Sequence, residues 1–145
     1  MFRWLTSRKK PKKGTVDPQA VTEIVRELLT LQRIASGTDL METYPDILTN
    51  ALAMGYVFGF VDAFMQRYEI TNPNNHTASA QLMRAAYQNI FDEQSGGILF
   101  DMSIASQTEQ NFHHGRMVGG NEAIEFLRNG TPQFGLDRIL MGLRE

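Results

Sequence analysis

Two carboxylates stand out by their surroundings. Asp62 is the only charged residue between Asp46 and Arg67, and Glu122 occupies the matching place beside a second run of small residues. If both face one packed core, such a pair could work as general acid and general base, with burial pushing their pKa values apart, or could hold an ion. The plainer reading is an ion pair with Arg84 or Arg116, or a solvated Glu122. A second constellation is Glu109 and His113, one helical turn apart, followed directly by His114. A carboxylate and an imidazole at that spacing could converge on a divalent metal. The pattern lacks the Glu-x-x-His spacing of di-iron bundles, His113 and His114 point about 100° apart on a helix, and no second ligand pair is evident. Solvated histidines are therefore expected, with no metal and no cofactor, and His76 reads as a loop or cap residue.

Other reaction classes find no support in the residues. The chain has no cysteine, which removes thiolate nucleophiles, thiolate metal sites and disulfides together. It has no Gly-x-Ser-x-Gly elbow and no Walker-type loop. The glycine-rich stretch Gly115 to Gly120 falls inside a predicted helix, where the free N–H groups of a phosphate cradle are missing. The sequence thus points away from an enzyme. An enzyme or metal protein using Asp62, Glu122, Glu109 and His113 stands as the rival.

A binding surface is better supported. All four lysines, Lys9, Lys10, Lys12 and Lys13, lie ahead of Gly14 together with Arg3 and Arg8, and no acidic residue precedes Asp17. The head therefore holds six of the 14 basic residues, and the remaining eight face all 16 acidic ones, a net of −8 on the body. Phe2, Trp4 and Leu5 add an apolar tip. On an anionic membrane each bound Lys or Arg contributes roughly 1 kcal/mol, so the head suits a reversible tether at the inner face of a cytoplasmic membrane. Nucleic acid is disfavoured, because an acidic body would oppose close docking. A solvated leader that serves only solubility is the bland alternative.

These groups must be positioned by helices. Pro11 and Gly14 separate the head, residues 1–14, from a single expected domain at 15–145, and 42% hydrophobic content suffices for a core. Asp17-Pro18 reads as a helix start, Val21, Ile24, Val25, Leu28, Leu31 and Ala35 follow at helical spacing, and Gly37 is a natural stop. A second helix is expected from a capping box at Thr43 to Asp46 through about Tyr68, apolar on nearly every face. A third runs from about Thr77 to Gln94 and stops at Ser95-Gly96-Gly97. A fourth opens at a Ser106 to Glu109 capping box and reaches Arg128, and Leu136, Ile139, Leu140 and Leu143 fit a short closing helix. No segment alternates with period two. The expected fold is an all-α compact bundle of four main helices and a short C-terminal one.

Within the second and fourth helices lies a ladder of small residues: Ala51, Gly55, Gly59 and Ala63, then Gly115, Gly119 and Ala123. Glycine costs a helix roughly 1 kcal/mol relative to alanine, so close backbone packing must offset several such losses. The two ladders superpose when Gly55 is set on Gly115, which also places Asp62 on Glu122 and the predicted helix start Asp17 on Thr77. Two helical hairpins about a pseudo-twofold axis are the implied arrangement. A membrane span over 47–65 is the competing reading of the second helix. Thr49, Asn50 and Asp62 argue against it, since a carboxylate in lipid costs roughly 2.5 to 3.5 kcal/mol. The sequence therefore predicts a helical binding or regulatory module with a protein partner, compatible with a homodimer.

Overall fold

The computed structural model describes residues 16–72 and 74–142, so the head residues from Phe2 to Lys13, and Leu143, lie outside the described residues. Among the described residues the regular structure consists of α1 (Pro18–Ile34), α2 (Leu40–Leu48), α3 (Ala51–Arg67), α4 (His76–Ile90), α5 (Glu93–Ala105), α6 (Gln110–Asn129) and α7 (Gly135–Leu140). No strand occurs among them, and the fold is all-α.

The start of α1 follows the sequence closely. Asp17 caps it, accepting the Gln19 N–H at 3.0 Å, and Pro18 takes the first helical position. Val21, Ile24, Val25 and Leu28 face the core, and Gly37 adopts φ +73° just beyond the end. Two expected helices, however, divide. The working capping box is Asp39 with Glu42, whose backbone and side chains exchange bonds of 2.7 and 3.0 Å, so α2 opens at Leu40, ahead of Thr43. Thr43 itself donates to the Asp39 carbonyl from inside the helix. The chain then breaks at Thr49, and Asn50 caps α3 by accepting the Ala53 N–H at 3.1 Å. Thr49 and Asn50 are thus the junction between two helices, not polar interruptions within one.

The same happens after α4. Asp92 caps α5 by accepting the Ser95 N–H at 2.6 Å, so Gly96 and Gly97 sit in the first turns of a new helix instead of terminating the old one. Their glycine character has a packing reason: a Cβ on Gly96 would come within 2.5 Å of the Tyr87 carbonyl carbon, and one on Gly97 within 2.9 Å of the Arg84 guanidinium. Ser106 is not a cap for α6. Its hydroxyl donates to the Met102 carbonyl at 2.9 Å and closes α5, while Glu109 occupies the N-cap of α6 without a side-chain bond.

The core centres on α3, which touches every other helix and packs most extensively on α6. Tyr56, Phe60 and Phe64, one turn apart, are fully buried and join Phe58, Phe112, Phe126 and Tyr87 in the aromatic interior. Burial on nearly every side explains the apolar composition of α3 without lipid. No helix among the described residues is long and apolar enough to cross a membrane.

The ladders face each other. A Cβ on Gly55 would run into the Phe112 carbonyl oxygen and come within 2.9 Å of the Arg116 nitrogen. One on Gly115 would run into the Leu52 carbonyl and come within 2.9 Å of the Tyr56 nitrogen. Gly59 meets the Arg116 carbonyl as Gly119 meets that of Tyr56. Each contact converts to its counterpart by the offset that carries Gly55 to Gly115, so the α3–α6 seam has a local pseudo-twofold axis. Contacting positions rise together along both helices, so α3 and α6 run parallel, and the intervening chain returns from the end of one to the start of the other.

Beyond this seam the symmetry weakens. α1 packs on α3 as a first hairpin would, but α4 packs on α5 and α1, with little contact to α6. The expected second hairpin is displaced because α5, which the glycine pair at 96–97 hides in the sequence, takes the place beside α4.

Candidate functional site

The pseudo-twofold decides the fate of the two carboxylates. Glu122 reaches across the seam to Tyr56, whose hydroxyl donates to Oε1 at 2.6 Å, and Asp62 reaches across to Arg116, with Nη2 3.8 Å from Oδ2. Under the ladder offset Tyr56 becomes Arg116 and Asp62 becomes Glu122. The two pairs therefore lie on opposite sides of the axis. Asp62 and Glu122 are not brought together, which corrects the paired acid/base reading: an axis that relates two side chains crossing a seam sends them to opposite faces.

The Glu122 side is closed. Oε1 also accepts the Gly135 N–H at 2.9 Å, and Oε2 accepts from Arg138 Nη2 at 3.1 Å. Gln32 donates to the Tyr56 oxygen at 2.9 Å while its own carbonyl accepts the Leu136 N–H at 2.8 Å. Arg33 pairs with Asp137 and also donates to Thr43. In this way α7 is bound over α1, α3 and α6 by groups of matched polarity. The Tyr56 hydroxyl is held far above the usual tyrosine range, first by burial and then by the adjacent Glu122 charge. It is a neutral donor at any physiological pH. Such a network specifies a docking register, and it exposes no reacting group to solvent.

The Asp62 side is open. A groove of about 710 Å³ runs along it, with Gly59, Ala63 and Gly120 as floor and Ile124 and Leu127 as one wall. Asp62, Arg67, Arg116 and Arg128 supply its charge, three cations against one carboxylate. A smaller compartment of about 280 Å³ continues past Asp62 and Arg116 toward α4 and α5, where His76, Ser79 and Thr71 line it. Asp62 Oδ2 accepts from Gln66 at 2.9 Å, and Arg116 also donates to Gln107 at 3.1 Å and lies 5.0 Å over the Phe58 ring. Among the described residues the buried Nη1 atom of Arg67 has no hydrogen-bond partner, and neither has the Thr71 hydroxyl.

No family model, curated protein or solved structure matches this chain. The site offers cations, an apolar floor and one carboxylate met by Arg116 and Gln66, and no nucleophile paired with a base among its lining residues. Glu109 and His113 are both exposed at the start of α6, linked through the His113 N–H to the Glu109 carbonyl. Among the described residues no group of three or more His, Asp or Glu side chains is placed to hold a metal ion. Arg67, Gln66, Ile124 and Arg128 escape a reading of the sequence. The ladder offset could flag Asp62 and Arg116 as a cross-seam pair, but Arg67 and Arg128 carry no signal, since each is an ordinary arginine in a last helical turn.

Proposed function

We propose that this chain is a non-enzymatic helical binding module, which recognises a protein partner through the open groove on the α3–α6 seam and is carried to an anionic membrane surface by its basic head. The observation that carries the reading is the groove itself: an apolar floor rimmed by Arg67, Arg116 and Arg128. Pockets that bind ligands are concave and mostly apolar with a few placed polar groups, and this one has that composition.

Site-specific photo-crosslinking in the host cell tests the groove. A benzophenone side chain replacing Ile124, which is 48% exposed on the groove wall, is expected to give a discrete adduct; one replacing Ile34, 65% exposed and away from the groove, is not. The same adducts from both positions, or none from Ile124, would refute the reading. For the tether, sedimentation with vesicles should show binding that requires residues 1–13, anionic lipid and low salt. Equal sedimentation of the full-length and head-deleted proteins would leave the head a solubilising leader.

A further inference from the structure

The local twofold supplies a template for what occupies the groove. On one side of the seam the Tyr56–Glu122 pair is covered by α7, a short helix seated over α1, α3 and α6. On the other side the equivalent Arg116–Asp62 pair lines a groove between α3 and α6 that extends to α4, and no described element covers it. The open groove is thus the counterpart of a seat that the chain itself fills with a helix. We infer that this groove is a docking site for a short acidic amphipathic helix of a partner protein, bound in the manner of α7; the inference rests on the binding-module reading above.

The charge of the occupant follows from what each seat leaves unmet. In the closed seat, Glu122 is met by Arg138 of α7 and Arg33 by Asp137 of α7. In the open groove, Asp62 is already met by Arg116 and Gln66. What the groove lining leaves short of carboxylates among the described residues is cationic: Arg67, whose guanidinium lies 5.3 Å over the Tyr68 ring, and Arg128, which is 3.9 Å from Glu125 and largely exposed. A complementary helix therefore carries carboxylates along its flank and apolar residues toward Ala63, Ile124 and Leu127. Both contacts of Asp62 use Oδ2, which leaves Oδ1 to accept a backbone N–H as Glu122 Oε1 accepts that of Gly135. The chain's own head, with six basic residues, has the wrong charge for this site.

Fluorescence anisotropy of the full chain with labelled helical peptides tests the inference. The probes are a three-turn acidic amphipathic peptide, its twin with every glutamate replaced by lysine, and a scramble that keeps the acidic charge but destroys the apolar face. The acidic amphipath is expected to bind with a Kd on the order of 10–100 μM, at least about tenfold tighter than either control, as a small groove allows. Salt should weaken it. Arg67→Glu with Arg128→Glu is expected to lower affinity by about tenfold or more, and Ile124→Glu, a surface change, gives a second variant should the first misfold. Equal binding of acidic and lysine peptides, or full binding by the folded variants, would overturn the inference. An Ile124 adduct in cells combined with no preference for the acidic peptide would leave the module standing and remove the acidic helix. A dimer in analytical ultracentrifugation that Arg67→Glu and Arg128→Glu dissolve would assign the groove to a second copy, and would overturn it as well.

Discussion

Gly59→Leu is expected to destabilise the folded chain by at least about 3 kcal/mol, the upper part of the range for overpacking. The reason is the rigidity of what it strikes. A Cβ at this position meets the Arg116 carbonyl and comes within 2.9 Å of the Gly120 nitrogen, so backbone on the opposing helix has to move. Side chains can rotate away from a clash; a helix hydrogen-bonded along its length cannot. The sharper experiment is Gly59→Ala. Alanine raises helix propensity by roughly 1 kcal/mol, so a net loss of stability shows that the clash outweighs that gain. Gly120→Ala is the internal control, because its Cβ would find only the Gly59 carbonyl at 3.7 Å, an ordinary contact. In urea titrations at unchanged m-value, Gly59→Ala should fall below wild type and Gly120→Ala should equal or exceed it. A Gly59→Ala protein as stable as wild type would mean the seam opens without cost, and that α3 and α6 are not held in close backbone contact.

The second large effect is expected at Glu122. Glu122→Ala removes at once the acceptor for the Tyr56 hydroxyl beneath α7 and for the N–H of Gly135, the first residue of α7. Each orphaned buried group costs about 1–3 kcal/mol, so a loss of about 3–5 kcal/mol is expected, with Glu122→Gln in between because one oxygen remains. Hydrogen exchange should show the first opening at α7, which rests on this network. Unchanged stability of Glu122→Ala would mean α7 is held by Leu136 and Ile139 alone. Burial of the tyrosines also predicts an alkaline limit. Tyr56 and Tyr87 both have their ionisation raised above the usual value of 10.0, chiefly by burial. The unfolded tyrosines ionise near pH 10 and the folded ones only well above it, so this contribution is intact below about pH 10 and is lost as pH rises beyond. Each tyrosine should steepen the decline by about 1.4 kcal/mol per pH unit, and Tyr87→Phe should remove one share. A parallel pH profile in that variant would contradict the burial assigned to Tyr87.

Local codes are legible in the residues. Asp17-Pro18 announces α1 because an Asx cap and an N1 proline act through bonds to near neighbours in the chain. The ladder is legible because a glycine on every turn has few uses inside a helix other than close approach. Where two local codes compete, the chain misleads. Thr43-Tyr44-Pro45-Asp46 resembles a helix start, but Asp39 and Glu42, an equally local pair three residues apart, form the box that works. Gly96-Gly97 resembles a stop, yet serves as the flat surface on which α5 meets Tyr87 and Arg84.

The sequence by itself determined the helical class, the acidic body behind a basic head, and the two glycine ladders, since period, charge and side-chain size are properties of the chain. Tertiary structure alone decided which side of the seam each carboxylate occupies. It closed one side with α7 and left the other open, with Arg67 of α3 and Arg128 of α6 on one groove. Cross-seam contacts join residues distant in the chain, Tyr56 to Glu122 and Asp62 to Arg116, and no local pattern reports whether a third helix will cover them. That is why Asp62 and Glu122 read as one site in the sequence and are two in the fold.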